Sequence, residues 1–124
     1  MDSNQLTRCE AEVMDIVWSS EPVTIGDVMD SIQRELAYTT VMTTFKILEE
    51  KGFLERGAKR GRAFLYHSVV SREAVCQSMA NTLKERLFGG SIKSLVLSLV
   101  GDGSVSDADL DELRSAIASL ESES

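Results

Sequence analysis

One stretch of the chain restricts the possible folds more than any other. Residues 39–67 read TTVMTTFKILEEKGFLERGAKRGRAFLYH. On a helical wheel, Val41, Phe45 and Leu48 fall on one side of the first half, and Gly52 stands where a left-handed residue ends a helix. The second half reads as two short strands around a turn that contains glycine. An amphipathic helix followed by a hairpin predicts the third helix and the wing of a winged helix-turn-helix.

Two further helices are predicted before this stretch. Thr7 with Glu10, and Thr24 with Asp27, have the three-residue spacing of a capping box, which starts a helix. Thr39 is expected to cap the third helix with its side chain. The second helix is expected to continue along one apolar stripe, which consists of Ile25, Val28, Ile32 and Leu36.

Residues 71–124 are predicted to form three more amphipathic helices, with Ser71 and Ser106 as caps. Helices of roughly 10 to 18 residues are marginal alone and need a surface on which to bury their apolar stripes. A second copy of the chain in a two-fold dimer would provide that surface, and packing back on the same chain as a monomer is the alternative. The residues expected to dimerise are Met79, Leu83, Leu87, Ile92, Leu95, Val96, Leu99, Leu110, Leu113 and Ile117.

Together these patterns predict a mainly α fold of the α+β type. Residues 1–70 are expected to form a winged helix-turn-helix DNA-binding domain with three helices and a two- to three-stranded wing. Residues 71–124 are expected to form a helical dimerisation domain with three helices. The length of 124 residues allows one compact domain or a small domain with an appendage.

The positive charge of the chain is concentrated in one segment. The formal net charge is -7, which taken alone argues against a nucleic-acid partner. Between residues 56 and 67, however, basic side chains occur without any acidic one, and they are Arg56, Lys59, Arg60 and Arg62. A local basic cluster of this kind is compatible with a DNA-facing surface on an acidic protein.

The third helix and the hairpin carry side chains that suit DNA. A helix in the major groove reads base edges with its N-terminal half, and threonine can contribute a hydroxyl for a hydrogen bond and a methyl for the C5-methyl of thymine. The candidates for reading bases are Thr39, Thr40, Met42, Thr43 and Lys46. The candidates for phosphates or an adjacent minor groove are Lys59, Arg60 and Arg62.

Two other interpretations of these residues remain open. The threonines can act as caps and face water, as exposed threonines often do. The winged helix can also be a module that binds a protein partner without specific DNA binding, with the basic hairpin at the rim of the interface.

No arrangement of residues in the sequence supports catalysis or metal binding. We find no Ser/His/Asp set, no phosphate-binding loop and no cluster with metal-ligand spacing, and His67 is the only histidine. Cys9 and Cys76 form no CxxC pair and are expected to be reduced thiols. We therefore expect no enzymatic activity and no cofactor. With neither a long apolar run nor a signal peptide in the sequence, a cytoplasmic location is expected.

Four blocks of the sequence resemble one known family. The blocks are EAEVMDIVW, TTVMTTFKILEEKGFL, GRAFLY, and SLVLSLV followed by SDADLDELRSAI. In this order and spacing they resemble the penicillinase and methicillin-resistance repressors of the BlaI/MecI type, over residues 6 to about 120. The resemblance implies a homodimeric repressor whose winged domains bind a palindromic operator with TACA/TGTA half-sites. It also implies release by a membrane sensor protease that responds to β-lactams and cuts inside the dimerisation region, at a bond that matches Ser98–Leu99.

This sequence departs from the family pattern at several positions. Members of the family carry Asn-Phe at the bond that corresponds to Ser98–Leu99, and they often carry an arginine where this chain has Met42 or Ile47. The resemblance therefore implies fewer charged contacts with the operator. A copper-responsive branch of the family ends in paired cysteines, and this chain has no cysteine after Cys76, which disfavours copper sensing.

Overall fold

A computed structural model describes residues 5–101 and 103–123, with the side chains of residues 120–123 left out. The outermost limits of the predicted domains, residues 1 and 124, lie outside this range. The elements in chain order are α1 (Arg8–Ser20), α2 (Ile25–Ser31), α3 (Tyr38–Lys51), β1 (Leu54–Arg60), β2 (Ala63–Ser68), α4 (Arg72–Leu87), α5 (Ile92–Val100) and α6 (Asp107–Glu123). The predicted class, three helices and a wing followed by three helices, is confirmed. The chain divides into two compact units, residues 1–81 and 82–124.

Both predicted capping boxes in the first unit are confirmed. Glu10 N donates to Thr7 Oγ1 at 3.3 Å, and Thr7 N donates to Glu10 Oε1 at 3.0 Å. At the start of α2, Asp27 N donates to Thr24 Oγ1 and Thr24 N donates to Asp27 Oδ2, both at 3.0 Å. These reciprocal bonds occupy backbone N–H groups that have no partner inside a helix, and so they fix where α1 and α2 begin.

The predicted end of α2 and the predicted cap of α3 are both wrong. The helix α2 stops at Ser31, and Ile32 has an extended backbone, so the rest of the expected stripe lies in the loop that leads to α3. Leu36 still packs against the core from this loop, which explains why its apolar character mimicked a longer helix. The helix α3 begins at Tyr38 after Ala37, which makes no side-chain cap, and Thr39 is therefore inside the first turn.

The core of the first unit lies between the three helices and the base of the wing. Val41, Phe45 and Leu48 of α3 are buried, as their spacing predicts. The other fully buried large side chains come from α1 and α2 and are Val13, Met14, Val17 and Val28. Burial of an apolar stripe is the main source of stability for helices of this length, so α3 is fixed by its inner face and leaves its outer face free.

The two strands form an antiparallel hairpin that is attached to α3 at one end. The ring of Tyr66 in β2 meets the ring of Phe45 edge to face, with centroids 4.7 Å apart. Tyr66 also pairs with Val23 through two backbone hydrogen bonds of 2.7 and 3.0 Å. In β1, by contrast, only Leu54 is buried, and the remainder of the strand is exposed. The wing therefore projects from a well-packed base.

The tip of the wing is a tight two-residue turn. Arg60 pairs with Ala63 across the hairpin, which leaves Gly61 and Arg62 as the turn residues. Gly61 has a φ of 66°, and every described residue with a positive φ is a glycine, so Arg62 has a negative φ. A positive φ at the first turn position alone is the arrangement of a type II′ turn, which accounts for glycine at this position.

Candidate nucleic-acid interface

The outer face of α3 carries the residues that the sequence proposes as base readers. Thr39, Thr40, Met42, Thr43 and Lys46 are all exposed. Thr44, one residue beyond Thr43, is different because it is buried. Its Oγ1 donates to Thr40 O at 2.8 Å and lies 3.2 Å from Cys9 Sγ. The helix therefore presents a polar face with several methyl groups, while Thr44 belongs to the packing beneath it.

Both ends of α3 are held by polar contacts with α1. In the loop before α3, Arg34 Nε and Nη2 donate to the Glu12 carboxylate at 2.7 to 3.0 Å, and this pairing lowers the pKa of Glu12. At the other end, Lys51 Nζ donates to Oε1 of the buried Glu10 at 2.8 Å and to Gln5 O at 3.2 Å. These contacts hold the exposed face of α3 in a fixed orientation relative to the rest of the first unit.

Two wing cations stack on one aromatic ring. Arg56 Cζ and Lys59 Nζ each lie 4.9 Å from the centroid of the Phe64 ring. Arg56 Nε also pairs with Glu49 Oε2 at 3.1 Å. The Glu49 carboxylate lies near the end of α3 and would repel a phosphate. The ion pair with Arg56 places a cation beside it.

Arg60 makes a different set of contacts from the other cations proposed for DNA. Its Nη2 donates to Asp27 Oδ1 at 2.7 Å and lies 3.4 Å from Thr24 Oγ1, so its guanidinium is directed at the start of α2. Lys46 and Arg62 have no carboxylate oxygen within ion-pair distance among the described residues. Within the part of the chain that the structure describes, Lys46 and Arg62 have no ion pair, Lys59 has a cation–π contact in place of one, and Arg60 is in an ion pair.

Tyr38 is an interface candidate that the sequence reasoning missed. It is the first residue of α3 and is 52% exposed. Together with Arg62 and Phe64 of the wing it lines a cavity of about 170 Å³, and Ile25 and Gly26 of α2 belong to the same lining. A correct start of α3 would have identified Tyr38, because the N-terminal turn is the part of a recognition helix that reaches base edges.

Most of the residues predicted to dimerise are exposed in the single chain. Leu83, Leu87, Ile92, Val96, Leu99, Leu113 and Ile117 are exposed, while Met79, Leu95 and Leu110 are half-buried. None of the residues of α5 is buried, although the helix is almost entirely apolar apart from Lys93 and two serines. Ser98 and Leu99, the predicted cleavage position, lie inside α5 and are exposed.

The remaining features to compare with the sequence are metal ligands, membrane-spanning helices and the two cysteines. Among residues 5–101 and 103–123 no group of His, Cys, Asp and Glu side chains could hold a metal ion. Within the same residues, no helix is both long enough and apolar enough to cross a membrane. Cys9 and Cys76 are both free thiols, and Cys76 is exposed.

The arrangement of α1 to α3 with a projecting hairpin defines a winged-helix protein, and known repressors share it. The solution structure of the DNA-binding domain of the repressor BlaI has a TM-score of 0.50 and 26% identity, over 57% of this chain and 88% of that chain. Crystal structures of MepR from Staphylococcus aureus and of a MarR mutant from E. coli complexed with operator DNA agree in fold alone, with TM-scores of 0.53 and 0.55 and identities of 14% and 13%. They cover 96% and 94% of this chain, and 80% and 76% of their own chains.

The sequence comparisons give the family. Residues 6–119 match the model of the penicillinase repressor family. The transcriptional regulator BlaI of Mycobacterium tuberculosis is 36% identical over 124 residues, which covers 94% of this chain and 88% of that protein. The methicillin resistance regulatory protein MecI of Mammaliicoccus sciuri is 27% identical over 91% of this chain and 93% of its own length. The chain belongs to the penicillinase repressor family, and it is a winged-helix transcriptional repressor of the BlaI/MecI type.

Proposed function

We propose that the protein is a homodimeric repressor that binds a palindromic operator through α3 and the wing and leaves it in response to an inducing signal. The observation that carries this proposal is the exposed face of α3. This face bears hydroxyls, methyls and one ammonium group. Its helix is held from behind by Phe45, at its C-terminal end by the ion pair of Lys51 with α1, and through the preceding loop by the ion pair of Arg34 with α1. A rigidly held, exposed helix next to a basic hairpin meets the geometric needs of major-groove recognition.

We assign separate roles to α3 and to the wing. Thr39, Thr40, Met42 and Thr43 are proposed to contact base edges, and Thr43 to pack its methyl against thymine. Lys59 and Arg62 on the wing are proposed to contact phosphates, because a charged group near the backbone contributes affinity without sequence information. Lys46 on α3, which the sequence groups with the base readers, is here also proposed to contact a phosphate. Among the described residues neither Lys46 nor Arg62 has an ion pair, which supports this assignment, since neither must first leave a carboxylate.

We propose that the exposed apolar residues of α4, α5 and α6 form the dimer interface. Single chains of soluble proteins rarely leave large contiguous apolar patches in water, and side chains such as Leu87, Ile92 and Leu99 are 72%, 64% and 60% exposed. A dimer would cover such side chains and would place two recognition helices on the two halves of a palindrome.

The inducing signal is proposed to be proteolysis in α5 by a membrane sensor protease, as the family resemblance implies, with the repressor acting in the cytoplasm. Ser98 and Leu99 lie in the last turn of α5, which ends at Val100, so their peptide bond is within a helix. Cleavage there would require local unfolding of this turn, which costs least near a helix end. Loss of the dimer would follow, because the cut separates α5 from α6.

The division of roles is tested by Thr43→Ala and Arg62→Ala. Thr43→Ala is expected to reduce discrimination at one thymine-containing base pair by roughly 10-fold or more, because a base-specific contact is lost. Arg62→Ala is expected to weaken binding to all sequences alike and to lower the slope of log K against log salt by about one. The measurement is a titration of operator, single-base variants and random duplex at several salt concentrations. Equal losses on every sequence for both variants would contradict the assignment.

A second candidate function is a module that binds a protein partner. It is favoured by the large apolar side chains that α3 exposes, which are Tyr38, Met42 and Ile47. Protein interfaces are enriched in exposed aromatic and methionine side chains of this kind. The same titration separates the two functions, because an interaction module would not distinguish operator from random duplex.

A further inference from the structure

An ion pair near the tip of the wing joins the hairpin to α2. Arg60 is the last residue of β1 and directly precedes the Gly61–Arg62 turn. Its guanidinium crosses to α2 and donates from Nη2 to Asp27 Oδ1 at 2.7 Å, with a second, longer contact of 3.4 Å to Thr24 Oγ1. The pair joins residues that are 33 positions apart in the chain, so it fixes one element relative to another.

Asp27 serves the helix start and the wing at the same time. Its Oδ2 accepts the hydrogen bond from Thr24 N that completes the capping box, while its Oδ1 faces Arg60. The pKa of Asp27 is lowered, first by the backbone bond from Thr24 and then by Arg60, so the carboxylate is charged at neutral pH. The buried Thr24 anchors this cluster to the core.

The outer part of β1 is otherwise little buried. Beyond Leu54 every residue of β1 is exposed, and the strand has an irregular register between Arg56 and Lys59. A second ion pair, between Arg56 and Glu49, lies between this irregularity and the base of the wing. Between the irregularity and the turn, Arg60 is the residue that connects the wing to α2.

We propose that the pair of Asp27 and Arg60 is a positioning device for the wing. In this proposal Arg60 does not contact a phosphate, although the sequence alone suggests that role. It holds the hairpin so that its neighbours Lys59 and Arg62 are already placed when DNA arrives, which reduces the ordering cost of binding. The inference rests on the proposed operator binding, and it makes Asp27, an acidic residue, necessary for full affinity.

If Arg60 contacts DNA instead of positioning the wing, removal of the Asp27 carboxylate should change DNA affinity in the opposite direction. If Arg60 left Asp27 to contact a phosphate, the carboxylate would compete with DNA for the guanidinium. Removing the carboxylate would then strengthen binding, because one negative charge near the phosphates would also disappear. A single substitution therefore separates a positioning residue from a contact residue.

The variants are Asp27→Asn, Arg60→Gln and the double substitution. Asparagine can still accept the bond from Thr24 N with its amide oxygen, so the start of α2 is retained while the ion pair is lost. Asp15→Asn is the matched control, because Asp15 also pairs with an arginine at 2.7 Å, Arg72, and the change in charge is the same. Full-length protein is titrated with a palindromic duplex that carries TACA/TGTA half-sites, and with random duplex, at several salt concentrations, and backbone NMR reports the order of residues 59–63.

The proposal expects Asp27→Asn and Arg60→Gln each to weaken operator binding by about 3- to 10-fold, the range of one exposed ion pair with ordering added. The double variant should be no weaker than the weaker single variant, and both single variants should disorder residues 59–63, whereas Asp15→Asn should do neither. Tighter or unchanged binding by Asp27→Asn, or residues 59–63 as ordered as in the wild type, would overturn the inference. If the wild-type protein fails to prefer operator over random duplex, the proposed function is overturned, and the NMR comparison then decides by itself whether the pair orders the wing.

Discussion

Phe45→Ala is expected to lower the free energy of unfolding of the first unit by about 3–5 kcal/mol. Phe45 is 1% exposed, and it is the largest of the fully buried side chains. Truncation to alanine would leave a cavity between α3 and β2 and would remove the edge-to-face contact with Tyr66. Because the same contact attaches the wing to α3, operator binding should fall together with stability.

The measurement for Phe45→Ala is urea unfolding followed by the fluorescence of Trp18, which lies in α1 of the same unit. Phe64→Ala is the matched control, because it makes the same chemical change at a ring that is 37% exposed on the wing. It should cost about 1 kcal/mol or less, since part of the Phe64 ring is already exposed to water and part is covered only by the side chains of Arg56 and Lys59. Equal losses for both variants would show that Phe45 does not have the central packing role assigned to it.

Leu99→Glu is expected to prevent dimerisation and to reduce affinity for a full operator by about 100- to 10,000-fold. Leu99 is 60% exposed in the single chain, so the substitution should leave the fold of the chain intact. In the proposed dimer the glutamate would be buried without a partner, which is strongly unfavourable. The large loss on DNA arises because two linked half-sites bind far more tightly than one.

The state of assembly is measured by sedimentation, and binding is measured on a full palindrome and on an isolated half-site. Ser94→Glu is the control, because Ser94 is also exposed on α5 but lies on the side away from the stripe of Ile92, Leu95 and Leu99. It should remain a dimer. Affinity of Leu99→Glu for the half-site should match that of the wild type within a few-fold, and a dimeric Leu99→Glu protein would contradict the proposed interface.

Features with a local physical cause could be predicted from the sequence. The capping boxes of Thr7 and Thr24 and the left-handed Gly52, with a φ of 84°, depend on residues close together in the chain. The buried face of α3 was also predicted, because helical spacing decides which side chains share a face. The family resemblance, which covers residues 6 to about 120, is confirmed by the match of the family model over residues 6–119.

Features that depend on distant contacts could not be predicted in the same way. Leu36 packs against the core from a loop, and nothing in its spacing distinguishes that loop from another turn of α2. Arg34 holds the loop by reaching Glu12, which lies 22 positions earlier. For the same reason Arg60 looks like an ordinary DNA-facing cation in the sequence, and only the structure shows that its partner is Asp27.

The distribution of ion pairs also explains how an acidic protein can offer a basic surface. Several cations of the first unit are neutralised within the fold, among them Arg34 by Glu12, Lys51 by Glu10 and Arg72 by Asp15. Among the described residues of the first unit, the cations without an ion pair are Lys46 of α3 and Lys59 and Arg62 of the wing. Since screening at physiological salt limits exposed charges to a range of about 8 Å, this local excess matters more to DNA than the net charge of the chain.

The central claim is that the protein recognises a palindromic operator through the exposed face of α3, and selection from a pool of random DNA duplexes tests it most directly. Purified full-length protein is incubated with the pool at physiological salt, and the bound duplexes are amplified and sequenced over several rounds. We predict enrichment of one two-fold symmetric sequence with half-sites related to TACA/TGTA, and loss of preference at one thymine of each half-site for Thr43→Ala. Recovery of sequences without symmetry, or no enrichment over the starting pool, would contradict the claim.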